Sequence, residues 1–162
     1  MVLLSQKSAS HSAPSGWIEF RVHGIPRPQG SKRHVGRGIM VESSRHVRQW
    51  RNDVMSAAQQ AYNGPAVTGA VELDITFWFP RPKGHYGTGR NADKLKPSAP
   101  EKPTSRAYGD TTKLARSTED AISECSGYPV LKDDSQVTDL ICRKRYASAD
   151  NPPGALVRIR NC

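Results

Sequence analysis

Residues 109–137 open with Gly109-Asp110-Thr111-Thr112-Lys113-Leu114-Ala115-Arg116-Ser117-Thr118-Glu119-Asp120-Ala121-Ile122 and close, past a short connector, on Lys132-Asp133-Asp134-Ser135-Gln136-Val137. A helix starting near Thr111 or Thr112 advances about 100° per residue, which puts Arg116, Glu119 and Ser123 within about 40° of Thr112. Leu114, Thr118, Ala121, Ile122 and Cys125 gather on the other side, between about 180° and 280°. The segment therefore predicts a helix with a core face and a separate polar face. The polar face carries Arg116 and Glu119, with Asp120 at its edge, Asp110 just before the helix and Asp133-Asp134 just beyond it.

Strands are expected on both sides of this helix. Upstream, residues 71–79 alternate: Val71, Leu73, Ile75, Phe77 and Phe79 against Glu72, Asp74, Thr76 and Trp78, the period of a half-buried central strand. Downstream, Gln136 to Tyr146 and Ala155 to Arg160 read as two more, parted by a turn at Pro152-Pro153-Gly154. Near the start, Trp17 to His23 alternates in the same way, and Ile39 to Glu42 reads as a short returning strand. A first helix is expected over about 44–62, capped by Ser43 or Ser44, with Val47, Trp50, Val54, Ala57, Ala58 and Ala61 at helical spacing. The order β, β, α, β, long loop, α, β, β predicts an α/β (α+β) fold, a mixed β-sheet with two α-helices packed on one face.

The chain has 162 residues, the size of one domain. Residues 1–15 are Ser-rich and aperiodic, which predicts a disordered tail before a single domain over 16–162. The hydrophobic fraction of 36% and mean hydropathy of −0.65 are low, as a chain with a long loop requires. That loop spans 80–108, where Arg81, Lys83, Arg90, Lys94, Lys96, Lys102 and Arg106 outnumber Asp93 and Glu101. It is read as a mobile arm that contacts nucleic acid, with Tyr86 and Tyr108 able to stack on bases. The glycine-spaced basic loop Ser31 to Gly38, with Lys32, Arg33 and Arg37, suits phosphate in the same way. A formal net charge of +9 points to a polyanionic partner, nucleic acid above all.

Three cysteines, Cys125, Cys142 and Cys162, lack Cys-x-x-Cys spacing, and His11, His23, His34, His46 and His85 lack ligand spacing, which argues against a zinc site. The run Met1-Val2-Leu3-Leu4 is too short for a signal peptide and no stretch approaches the roughly 18 apolar residues of a membrane span, so a cytoplasmic location is expected. An acid before a helix, a base on it and a paired Asp beyond make a candidate site for metal-dependent phosphodiester chemistry. Each part also has an ordinary reading: Asp110 as a helix cap, Arg116 and Glu119 as an i, i+3 pair, Asp133-Asp134 as a surface turn.

The stretch resembles the RusA family of Holliday-junction resolvases, in its phage-borne form. The family pattern Asp-x-Asp, Asn or Lys, Leu, one residue, a basic residue, Asp-Ala-Leu and Asp-Asp-x-Gln-Val is matched by Asp110, Lys113-Leu114, Arg116, Asp120-Ala121-Ile122 and Asp133 to Val137. The segments Gly24 to Lys32, Met40 to Ser44 and Arg81 to Asn91 are similar too. The resemblance implies a homodimer in the host cytoplasm that nicks paired strands of four-way and branched DNA with Mg²⁺ or Mn²⁺, in recombination, repair or phage DNA processing. By the same matching Asp110 and Asp134 would be metal ligands, Asp133 a neighbouring ligand, and Arg116 would stand where the family has a catalytic Lys. Lys32, Arg33, Arg37, Lys83, Arg90, Lys94, Lys96 and Lys113 are the expected DNA contacts. Thr112 departs from the pattern where an Asp is expected, and a hydroxyl is a poor Mg²⁺ ligand. Either Glu119, about two turns along the same face, replaces that carboxylate, or the chain binds junctions without cutting them.

Overall fold

The computed structural model describes residues 16–30, 32–42, 45–123, 127 and 129–162. The expected tail over 1–15, the Ser43 or Ser44 cap and Cys125 lie outside the described residues. Among the described residues eight strands and α-helices follow in order: β1 (Ile18–His23), β2 (Lys32–His34), β3 (Met40–Glu42), α1 (Arg45–Ala61), β4 (Val71–Phe79), α2 (Thr111–Ser123), β5 (Val137–Tyr146) and β6 (Gly154–Asn161).

The four long strands form one sheet in the order β1-β6-β4-β5. β6 runs antiparallel to both β1 and β4, whereas β4 and β5 are parallel, so the sheet is mixed. Parallel neighbours need a crossover connection. Here the loop over 80–108, α2 and the turn at 133–136 supply it. The alternation at 71–79 does what its period requires, for Val71, Leu73, Ile75, Phe77 and Phe79 are all buried. Over them lie Trp50, Val54 and Ala58 of α1 and Leu114, Ala115, Ala121 and Ile122 of α2. Trp50 meets Phe77 with ring centroids 6.2 Å apart. Its indole N–H donates to Thr118 Oγ1 at 3.4 Å, which lets a polar helix residue sit fully buried.

The opposite face of the sheet is polar, and its charges are largely matched across strands. Arg160 binds Glu72 at 2.6 Å, Arg143 binds Asp74 at 2.6 Å and Arg158 binds Glu19 at 3.0 Å. Much of the cationic surplus sits elsewhere, in the loop over 80–108, where seven basic residues face two acids.

Two expectations are corrected. Lys32–His34 is a strand paired antiparallel to Met40–Glu42, in place of an open basic loop. The connection shrinks to a tight turn in which the Val35 N–H donates to Ile39 O at 3.0 Å and Arg37 takes φ 50°. The 80–108 segment is also structured, through short 3₁₀ turns at Lys83–His85, Gly89–Asn91 and Arg106–Tyr108. The Gly87 N–H donates to Lys94 O and the Lys96 N–H to His85 O, both at 2.9 Å. Arg81 lies over the Tyr146 ring at 3.9 Å and donates to Pro100 O at 2.8 Å, so it binds the loop to the sheet. The expected mobile arm is thus a folded lobe.

Candidate active site

α2 enters through a constrained corner. Gly109 has φ 76°, and a Cβ there would lie 2.4 Å from Pro28 Cγ, so only glycine fits. The Gly24–Gly30 segment that carries Pro28 is itself fastened to the helix. The Gln29 N–H donates to Lys113 O at 3.0 Å, and buried Ser117 donates from its hydroxyl to Arg27 O at 2.7 Å. Asp110 follows at the helix start, where its carbonyl accepts from the Leu114 N–H at 3.0 Å. Its carboxylate is 72% exposed and lies 3.6 Å from Lys113 Nζ.

Arg116 is exposed and Glu119 half-buried on the polar face. Burial first, and then the Asp134 and Asp120 carboxylates, push the Glu119 carboxyl above its ordinary value, against an opposing pull from Arg116. Asp120 is also ion-paired with Arg51 of α1 at 2.6 Å. Asp134, on the turn before β5, thus acts electrostatically on Glu119 of α2.

The turn that presents Asp134 is held from below. Gln136 donates from Nε2 to Val67 O and Gly69 O at 2.9 Å each, and its Oε1 accepts from the Lys132 and Asp133 N–H groups at 2.8 and 3.1 Å. The Ser135 hydroxyl and then the Ser135 N–H, the latter at 2.8 Å, donate to the Asp133 carboxylate and hold it below its ordinary value. Asp133 therefore caps the 3₁₀ turn Asp134–Gln136, and Asp134 is left to project.

The expected ligands do not converge as one cluster. Among the described residues no three His, Cys, Asp or Glu side chains stand close enough to hold a metal ion together. Glu119 feels the Asp134 charge, Asp133 caps, and Asp110 lies just before α2, where eight residues at 1.5 Å rise make about 12 Å from Thr111 to Glu119. Of the expected DNA contacts, Arg37, Lys83, Arg90, Lys94, Lys96 and Lys113 are exposed. Lys96 donates from Nζ to Gly84 O at 2.8 Å, which makes it a loop staple as well. β2 includes Lys32 and Arg33, whose side chains lie outside the described residues. Tyr108 is half-buried between Phe79 at 4.9 Å and Tyr146 at 6.0 Å, away from any stacking role.

A row of side chains on β5 went unremarked in the sequence. Cys142, Lys144 and Tyr146 share the helix-facing side of that strand and all touch the corner before α2. The Cys142 thiol donates to Thr111 O at 3.6 Å, and the Lys144 ammonium to Gly109 O at 2.9 Å. The Tyr146 and Tyr108 hydroxyls share a hydrogen bond that, after burial, helps lift the Tyr108 phenol to about 12. Burial, followed by Glu119, likewise raises the Cys142 thiol to about 12, so it stays protonated and inert. The period-2 spacing of 142, 144 and 146 was the available signal.

Comparison with known proteins places this arrangement. The chain is 29% identical over 136 residues to the Bacillus subtilis (strain 168) protein YqaN, described as uncharacterized, covering 80% of this chain and 88% of that one. The family described as Endodeoxyribonuclease RusA matches residues 21–160, a span running from β1 to β6 and including every candidate side chain of the site. The chain belongs to the RusA endodeoxyribonuclease family.

Proposed function

We propose that the protein is a divalent-metal-dependent endodeoxyribonuclease that nicks four-way and other branched DNA as a homodimer. The observation that carries the reading is half-buried Glu119 on α2 facing the field of Asp134, its carboxyl raised first by burial and then by the Asp134 charge. A half-buried carboxylate that feels a second negative charge is one that a hard dication relieves, and Mg²⁺ is commonly bound by one or two carboxylates plus phosphate oxygens and water. The residues present therefore fit Mg²⁺ or Mn²⁺, with Glu119 and Asp134 as the holding pair. A bound dication supplies a water of lowered pKa and charge to offset the leaving oxygen.

This chain's own residues do the rest. Asp110, exposed just before the first turn of α2, would accept a hydrogen bond from the attacking water and set its line of approach. Arg116 would bind a non-bridging oxygen of the scissile phosphate, a task for a fixed cation that makes directed hydrogen bonds. Asp133 and Gln136 keep Asp134 in place. The exposed Lys83, Arg90 and Lys94 lie on one folded lobe and would grip backbone phosphates, which position DNA without reading sequence.

The test is cleavage of a labelled synthetic four-way junction with Mg²⁺, Mn²⁺ or EDTA, beside a gel shift on the same DNA. Paired nicks that need metal and fall at least about 10²-fold in Asp134→Asn are expected, the scale of losing one transition-state charge contact. Tight binding with no cleavage under either metal would instead leave a junction-binding protein in which Thr112 marks a lost site.

A further inference from the structure

The β5 row meets the corner before α2 in sequence. Cys142, Lys144 and Tyr146 bind Thr111, Gly109 and Tyr108 respectively, so successive inward positions of the strand hold the residues around Asp110 in antiparallel order. Asp110 stands between the two fastened carbonyls. Lys144 provides the charged member, half-buried, with Nζ 2.9 Å from the Gly109 oxygen. Gly109 has no side chain of its own to resist rotation, and its positive φ is the bend that aims the next residue.

We propose that Lys144 is a positioning residue for the reaction: by holding the Gly109 carbonyl it fixes the direction in which the Asp110 carboxylate points. This rests on the nuclease reading above, in which Asp110 aligns the attacking water. Lys144 touches neither substrate nor reacting atoms in this assignment; it acts through the backbone. A misplacement on the order of 1 Å at a catalytic group can cost about 10²-fold in rate. Binding of the junction, which depends on the loop cations, is untouched.

Lys144→Met tests this in the full-length protein with two readouts. Junction cleavage at saturating Mg²⁺ should fall at least about tenfold in kcat while KM stays within about twofold. Amide hydrogen exchange, followed by mass spectrometry on the 107–114 peptide without DNA or metal, should speed up there and not in β4. Lys144→Arg, which still offers N–H donors to the carbonyl, should recover most of the rate. Unchanged kcat overturns the proposal. So does a kcat loss with unaltered exchange, because Lys144 would then act directly on the phosphate. Should Lys144→Met fail to fold, Lys144→Gln is read by the same two measurements. If the wild type cuts no junction, the nuclease reading fails, and exchange alone decides whether Lys144 holds the corner.

Discussion

Glu119 is an acid kept where ionising it is costly. Its carboxyl is raised by burial and by Asp134, so between the ordinary and the raised pKa the folded chain binds a proton that the unfolded chain has released. Stability accordingly falls as pH climbs through that window and stays lower above it. Glu119→Gln should therefore melt higher than the wild type at pH 7, with the difference vanishing near pH 4, where both side chains are neutral; calorimetry across that range checks it. An equal or lower Tm for the variant at pH 7 would remove the electrostatic argument for the site. The same substitution is expected to reduce metal-dependent cleavage by at least about 10²-fold, since a carboxamide does not replace a carboxylate toward a hard cation. Wild-type cleavage by this variant would show that Glu119 does not stand in for the acid missing at Thr112.

At the level of elements, the turn before β5 depends on one amide side chain. Gln136 makes four hydrogen bonds to backbone atoms of two segments, so Gln136→Ala should cost about 2–4 kcal/mol, several lost bonds at about 1 kcal/mol each. Urea unfolding measures the loss, and cleavage should drop with it because Asp134 rides on that turn. Much of this layer was legible in the sequence. The alternation of Val71 to Phe79 and the two faces of α2 follow from local periodicity, which tertiary packing did not override. The β2 strand was not legible, because the run Lys32-Arg33-His34 has no apolar alternation and is only three residues long, its strand form coming from backbone pairing with Met40–Glu42. The Asp133–Asp134 pair looked like two ligands, and only the local hydrogen-bonding separates a cap from a projecting carboxylate. The role of Lys144 was out of reach for a different reason. It depends on a long-range contact between an edge strand and a corner 35 residues away.

Over the whole molecule, charge and shape separate the tasks. On the sheet's outer face Arg158, Arg160 and Arg143 pair with Glu19, Glu72 and Asp74, whereas the folded lobe over 80–108 carries exposed cations. Replacing Lys83, Arg90 and Lys94 together by Ala should weaken junction binding and lower the slope of log affinity against log salt by about 2–3, near 0.9 per lost phosphate contact. Fluorescence anisotropy at several salt concentrations measures that slope, and an unchanged value would move the grip elsewhere. Among the described residues, every side chain proposed for the chemistry, Asp110, Arg116, Glu119 and Asp134, falls on the single crossover that joins the parallel strands β4 and β5. A reaction centre carried on one unbroken stretch can be inherited, or grafted onto a relative, as a unit. The lobe and the β2–β3 ribbon are then free to diverge, so that a lineage can change the DNA it recognises without renegotiating how it cuts.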